Sequence, residues 1–406
     1  MKLWSLRLFP LVSVLALAWL PSACVQEQSE TLADEANIEE PSNGVFRSTN
    51  EFEFALEAPF AQLIARLRSG KADPPKPAKA DAGAEGSEND GPEYSEPGTL
   101  KFGSKTLAVH VEIRGNTSAQ DCAFPKYKIE FDDKEAIKGT PFQGNKKFRV
   151  NSHCGAGGIE DRAGQFQRIQ NQISPIREEL AYRIVRAAGI PTYRTRLTKI
   201  AYSDSSPTNA IADMDQYGLA IESGDAAAKR FAQSGLIDRE TGVYLKDPSG
   251  RAERGGAEPS KMRPEAVASV FLAETLIGNF DYIFTDSGQF WNIDVFGVAH
   301  QATQLPIPQD FDLACGVLVN RDPRAEVRRL MDQVRTHKLD ASALQRAAAT
   351  FKRNESAILR EIDTVERERI RAKLIASTDG RTSTDKGFVN ARAMVDEFFK
   401  LKELAE

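Results

Sequence analysis

The chain has 406 residues, 41% of them hydrophobic and 27% charged, with a formal net charge of -5. That length and apolar content are enough for one or two folded domains with a sizeable core. The acidic balance, with no block of basic residues interleaved with aromatics, argues against nucleic acid as a partner.

Residues 1–24 read as an export signal: Lys2 and Arg7 give a positive start, Leu8 to Leu20 an apolar stretch, and Pro21-Ser22-Ala23-Cys24 a small-residue cleavage region. The apolar run falls short of the roughly 20 residues of a membrane span. Ser22-Ala23-Cys24 is also similar to the end of a bacterial lipoprotein signal, in which the cysteine becomes the lipidated first residue. This gives the expectation of a cell-envelope protein anchored to a membrane through Cys24, with simple cleavage and release as the alternative. Residues 25–44 are polar and acidic, as a disordered tether would be.

The body, residues 45–406, is expected to be one large domain. Phe52, Phe54 and Leu56 alternate with Glu51, Glu53 and Glu57, a period of two that predicts a half-buried strand, and Pro59 to Leu67 predicts a short helix. One strand and one helix are too small to fold alone. Residues 69–98, rich in Pro, Ala, Gly, Lys and Asp, are therefore expected to be a disordered insert within the domain. In Thr106 to Ile113, Leu107, Val109, Val111 and Ile113 share one strand face. Arg114-Gly115-Asn116-Thr117-Ser118 is the turn, Lys126 to Phe131 the returning strand and Phe148 to Val150 a third.

Pro175 to Ala188 predicts a helix, with Ile176, Leu180, Ile184 and Ala187 at helical spacing, Ser174 as N-cap, Pro175 at the first helical position and Gly189 as terminator. Strands are expected at Arg196 to Tyr202 and Tyr217 to Ile221. Pro264 to Ile277 predicts a strongly apolar helix that delivers Asp281 at its end. Leu305 to Pro308 reads as extended and Cys315-Gly316 as a turn. Residues 323–406 read as helical apart from a polar loop at 377–386. Strands with one helix, then helices carrying acidic residues, make an α+β pattern in two lobes.

Cys122, Cys154 and Cys315 remain in the body, in a compartment that permits disulfides. The loop positions of Cys122 and Cys154 favour this pair as a staple near the site, with three buried thiols as the alternative. No C-x-x-C or H-x-x-x-H spacing suggests zinc.

Asp281, Asn292, Asp310 and Asp312 stand at the ends of apolar segments. Carboxylate and amide oxygens are hard ligands for magnesium or manganese, and magnesium takes one or two carboxylates and completes its shell with water and phosphates. A metal-dependent hydrolase would need a denser set of histidines and carboxylates.

From Val45 to Asn320 the chain resembles the CotH family, the atypical kinases related to spore coat protein H. The resemblance rests on Arg114-Gly115-Asn116-Thr117, Phe124 to Phe131, Arg177 to Arg183, Tyr217 to Glu222, Gly278-Asn279-Phe280-Asp281 with Trp291-Asn292, and Asp310-Phe311-Asp312. It implies a two-lobed protein-kinase-like fold, with an N-terminal antiparallel sheet lobe and a helical C-terminal lobe. It further implies that Arg114, Gly115 and Asn116 form a turn over nucleotide phosphates. Lys126 or Lys128 would pair the phosphates, and Glu179 or Glu222 would hold that lysine. Asp281 would be the catalytic carboxylate, with Asp286 as competitor, while Asn292, Asp310 and Asp312 would hold magnesium or manganese. Gln309 and Trp291 depart from the family pattern. The implied activity is transfer of phosphate from ATP to a hydroxyl of a surface protein. A non-catalytic envelope or coat-type binding protein on the same fold is the rival.

Overall fold

The computed structural model describes residues 44–69, 95–155, 162–208, 210–237, 243–244, 257–284, 290–297, 304–377, 382–401 and 404. The export signal with Cys24, all but the last residue of the tether, most of the insert, and Asp286 lie outside the described residues.

Strand β1 (Phe52–Ala58) and helix α1 (Phe60–Arg68) precede β2 (Ser95–Phe102), β3 (Lys105–Ile113), the short helix α2 (Asn116–Asp121), β4 (Tyr127–Phe131) and β5 (Lys147–Asn151). A small hairpin of β6 (Arg162–Ala163) and β7 (Arg168–Ile169) leads to α3 (Ile173–Ala187), β8 (Thr195–Asp204), β9 (Met214–Glu222) and α4 (Gly224–Gln233). There follow β10 (Val243–Tyr244), α5 (Pro264–Ile277), β11 (Ile283–Phe284), β12 (Phe290–Trp291), β13 (Ile293–Gly297) and β14 (Leu305–Pro308). Helices α6 (Cys315–Leu318), α7 (Pro323–Thr336), α8 (Ala341–Arg371) and α9 (Lys386–Phe398) complete the fold, which is α+β.

The sheet differs from an open antiparallel one. Its strands close into a barrel in the order β1-β2-β3-β4-β5-β9-β8, and β1 closes the ring by running parallel to β8, from Phe52 opposite Thr198 to Ala58 opposite Asp204. The alternation in β1 shows that one face is buried, but alternation carries no information about which strand pairs each edge.

Residues 95–98 belong to the sheet and not to the insert. Ser95 to Gly98 pair with Glu112 to Val109 of β3, whereas β1 pairs β2 only from Thr99 onward. Pro97, which has no N–H to donate, thus sits where β1 makes no ladder with it, the position a strand proline tolerates.

Apolar side chains fall into two clusters. One fills the barrel with Phe54, Phe131, Phe142, Phe148, Tyr127 and their neighbours, and the other joins α3 and α5 to β13, β14 and the C-terminal helices. Phe142 stacks on Phe148 with ring centres 5.7 Å apart and meets Phe54 edge-on. Full burial of each such ring contributes roughly 1.5–3 kcal/mol, so the barrel is a stiff support for what its strands carry.

Helix α5 spans the expected residues, with Pro264 at its start and Gly278 in the left-handed conformation (φ 64°) at its end. Helix α3 starts two residues early: Gln172 is its N-cap and makes no side-chain cap bond, Asn171 Oδ1 just before it accepts the Ile173 N–H at 2.9 Å, and Ser174, expected as the cap, lies inside the helix. Cys315-Gly316 opens α6 instead of forming a turn. Helix α4, absent from the sequence reading, starts where Ser223 Oγ accepts the Ala226 N–H at 3.3 Å. Among the described residues no helix is long and apolar enough to cross a membrane.

Candidate active site

The site begins with a stitch between strands. The Arg114 N–H donates to the Lys126 carbonyl at 2.9 Å, which fixes the end of β3 against the start of β4. Gly115 adopts φ 85°, and a Cβ there would lie 2.3 Å from Ser118 Oγ, so only glycine lets the chain turn here into α2. The segment expected as a plain turn is thus the start of a short helix. Disulfide Cys122–Cys154 ties the end of that helix to the residues after β5, as expected.

Lys126 is 5% exposed. Its ammonium pairs with Asp310 and, at 2.9 Å, with Asp312. Burial pushes the ammonium below its ordinary value, with Asp310 opposing. On the Asp310 carboxyl burial acts against the charge, but Lys126 and Arg114 overcome it and hold the group below the usual carboxylate range. Arg168 of β7 pairs with Asp312 from the other side and donates to Thr117 Oγ1 at 2.7 Å.

Glu178 on α3 completes this charged group. Burial pushes its carboxyl up to about 7, against the pull of Lys126 and with the push of Asp310. It accepts from Asn151 Nδ2 at 2.6 Å, and Asn151 Oδ1 accepts from Arg114 at 2.7 Å. One turn along α3, the Tyr182 hydroxyl accepts the Asp310 N–H at 3.0 Å.

Two residues here hold left-handed backbone without being glycine: Asn292 at φ 52° and Asp310 at φ 59°. Each such position costs on the order of 1 kcal/mol or more and persists only where its surroundings fix it. The residue before Asp310 is tied to Asn292, since the Gln309 N–H donates to the Asn292 carbonyl at 3.0 Å. Asn292 Nδ2 in turn donates to Asp281 Oδ2 at 3.0 Å and to the Asp281 carbonyl at 2.5 Å. Burial and then the charge of Asp310 raise the Asp281 carboxyl above its ordinary value, while Arg168 and Lys126 pull it down. Asp281, Asp310, Lys126 and Arg168 are thus in electrostatic contact.

Gln309 holds the barrel to β13. Its Oε1 accepts from Arg149 of β5 at 2.8 Å, and its Nε2 donates to Asp294 Oδ1 at 3.0 Å. The departure from the family pattern at this position is a structural tie.

Of the expected residues, the structure brings together Arg114, Gly115, Lys126, Asp281, Asn292, Asp310 and Asp312, and places Asn116 as the first residue of α2. It takes three elsewhere. Lys128 pairs with Glu112 of β3 at 2.8 Å, its register partner across the sheet. Glu179 lies about 100° around α3 from Glu178. There it meets Arg369 of α8, which donates to both its oxygens at 2.7 Å. Glu222 closes β9 and pairs with Arg230 of α4 at 2.8 Å.

Sequence reasoning missed Glu178, Tyr182, Asn151 and Arg168. The signal for the first two was Glu178 and Tyr182 standing four residues apart, on a different face of α3 from Glu179 and Arg183. Arg168 on a two-residue strand had no such signal. Among the described residues, five polar atoms clustered here are buried without a hydrogen-bond partner: Arg114 Nε, Ser118 Oγ, Asp121 Oδ2, Arg168 Nε and Asp312 Oδ1. A buried polar atom left without a partner costs about 1–3 kcal/mol, so such atoms are few in folded proteins. No set of three or more His, Cys, Asp or Glu with metal-holding geometry occurs among the described residues.

No family model matches the chain, and no curated protein matches it. Among solved structures, a proinflammatory kinase of Helicobacter pylori, CtkA, is similar over 68% of this chain and 90% of that one, at 11% identity and a TM-score of 0.33. A likeness at that score transfers neither fold nor activity, and the CotH resemblance stays a resemblance carried by its motifs.

Proposed function

We propose that the chain is an exported, kinase-like phosphotransferase. It moves a phosphoryl group from a nucleotide such as ATP to a hydroxyl of an envelope or surface protein, with magnesium or manganese. The observation that supports this most is Lys126 paired with Asp310 and Asp312 beside Glu178, with Asp281 and its partner Asn292 in the same electrostatic field. In this reading the barrel is one lobe and the helical core the other. Disulfide Cys122–Cys154 supports an oxidising compartment, and membrane attachment through a lipid on Cys24 is part of the same proposal.

Asp312 Oδ1 is a buried carboxylate oxygen without a partner. With Asp310 and the side-chain oxygen Oδ1 of Asn292 it makes a hard-oxygen set that fits a divalent ion taking one or two carboxylates. When bound, such an ion offsets phosphate charge. Lys126 and Arg114 supply the remaining positive charge for the phosphates. Asp281, held by the Asn292 amide, orients the attacking hydroxyl and accepts its proton, and its raised pKa makes it a better base than an ordinary aspartate.

Thermal shift with ADP in the presence and absence of manganese tests this. A ligand at about 100 times its Kd stabilises the native state by about 2.7 kcal/mol. Wild type should show a metal-dependent shift and Asp310→Ala none. One observation favours the rival, a non-catalytic binding protein: Lys126 and Arg168 already neutralise the acidic pair. Wild type that neither shifts with ADP and manganese nor labels any envelope protein establishes that rival.

A further inference from the structure

Arg168 has no role in the phosphotransfer reading so far. It is 5% exposed and stands between two parts of the site, with one guanidinium nitrogen on Asp312 and another on Thr117 Oγ1. Its Nε lacks a hydrogen-bond partner, with Asp121 Oδ2 3.9 Å away. Lys126 and Arg168 thus crowd one carboxylate, Asp312, and a divalent ion at Asp310 and Asp312 would add a third cation to two carboxylates. Like charges in a buried site repel strongly, so one resident cation must leave. Lys126 is held by both carboxylates, whereas of the two Arg168 pairs with Asp312 alone, although Glu178 acts on both cations and Asp281 and Asp121 act on Arg168 as well. Arg168 has its second foothold on Thr117, in the segment that presents Arg114 Nε and Ser118 Oγ, two further buried donors without partners.

We propose that Arg168 is an exchangeable counter-ion, which neutralises Asp312 in the metal-free chain and, on loading, releases Asp312 to turn its guanidinium toward a nucleotide phosphate beside Arg114 and Ser118. The guanidinium fork suits both partners, since it binds carboxylate and phosphate oxygens in the same planar geometry. This inference rests on the phosphotransfer reading.

The exchange predicts effects of opposite sign from one substitution. Arg168→Gln should tighten binding of manganese alone, because a competing cation is gone, and weaken binding of ADP in saturating manganese, because a phosphate ligand is gone. Each change should be about tenfold, as for loss of one charge-assisted hydrogen bond. Titration calorimetry on the full chain reads both constants. Should Arg168→Gln not fold, Arg168→Lys, which cannot hold Asp312 and Thr117 together, should show the same pair of signs with smaller size. Wild type that binds manganese and ADP, with a variant that weakens both or leaves manganese unchanged, overturns the exchange and leaves the phosphotransfer reading standing. Wild type that binds neither overturns both.

Discussion

Glu178 and Glu179 are adjacent on α3, equally buried, and in opposite situations. Glu179 meets Arg369 through both its oxygens, and Arg183 beside it pairs with Glu361 and Glu368 of α8. Glu179, Arg183, Arg369, Glu361 and Glu368 each meet an opposite charge, and the seam joins α3 to α8. Glu178 instead shares a crowd with Lys126, Arg114, Arg168, Asp310 and Asp312, whose members leave three buried polar atoms without a hydrogen-bond partner: Arg114 Nε, Arg168 Nε and Asp312 Oδ1. Saturated pairs are what a packed interface needs, whereas unsaturated ones persist against a cost that some other interaction must offset. Burial alone therefore does not separate a structural glutamate from a functional one, but the balance of partners does.

That contrast can be broken first at the chemistry. Asp281→Ala should keep metal-dependent ADP binding and lose transfer by about 10² to 10⁴ in rate, as for loss of a general base. An unchanged labelling rate would place Asp281 on the structural side with Glu179. The seam should respond in the reverse way: Arg369→Ala leaves Glu179 only its longer contact with Arg183, at 3.8 Å, and should cost about 3–5 kcal/mol in urea unfolding. Its effect on ADP affinity at low temperature should be nil, and a large loss of affinity would dissolve the distinction between the two regions.

Removing the staple should weaken the fold by about 2–4 kcal/mol. Cys122→Ala with Cys154→Ala, assayed by chemical denaturation, tests this, and a mutant as stable as wild type would show that hydrogen bonds alone hold α2 to β5. Glu178→Gln sharpens the contrast through pH. The folded carboxyl titrates near 7, above its ordinary value of 4.5. Between these values the native chain holds a proton that the unfolded chain has lost, so this group's contribution is full below about pH 4.5 and is lost as pH rises through 7. Wild type should lose up to about 3 kcal/mol across that window relative to Glu178→Gln. A pH-independent difference between the two would show that Glu178 titrates as an ordinary glutamate.

Much of the scaffold was legible because its signals are local. The period of two in Phe52 to Leu56 gave β1, and Pro264 with Gly278 bounded α5 to the residue. The acidic positions Asp281, Asp310 and Asp312 and the amide Asn292 could be singled out because they stand at the ends of apolar segments. What escaped depends on neighbours distant in sequence. Choosing Glu179 over Glu178 required knowing that α8 supplies Arg369, and choosing Lys126 over Lys128 required knowing that Glu112 faces Lys128 across the ladder. Pro97 looked like a loop residue until its edge proved to lack a partner.

The parallel contact between β1 and β8 has a further consequence, for the order in which the chain can fold. Phe52 finds its neighbour only when Thr198 is in place, so the ring cannot close until α3 and everything before it have been made. Antiparallel neighbours such as β2 and β3 can form early, since their residues are close along the chain. Closing a long loop is entropically costly before any contact rewards it, which slows such steps. A chain threaded through a membrane N-terminus first would therefore present β1 with an unpaired edge until β8 emerges, and pulse-labelled hydrogen exchange should find the amides of Phe52 to Ala58 among the last in the barrel to be protected.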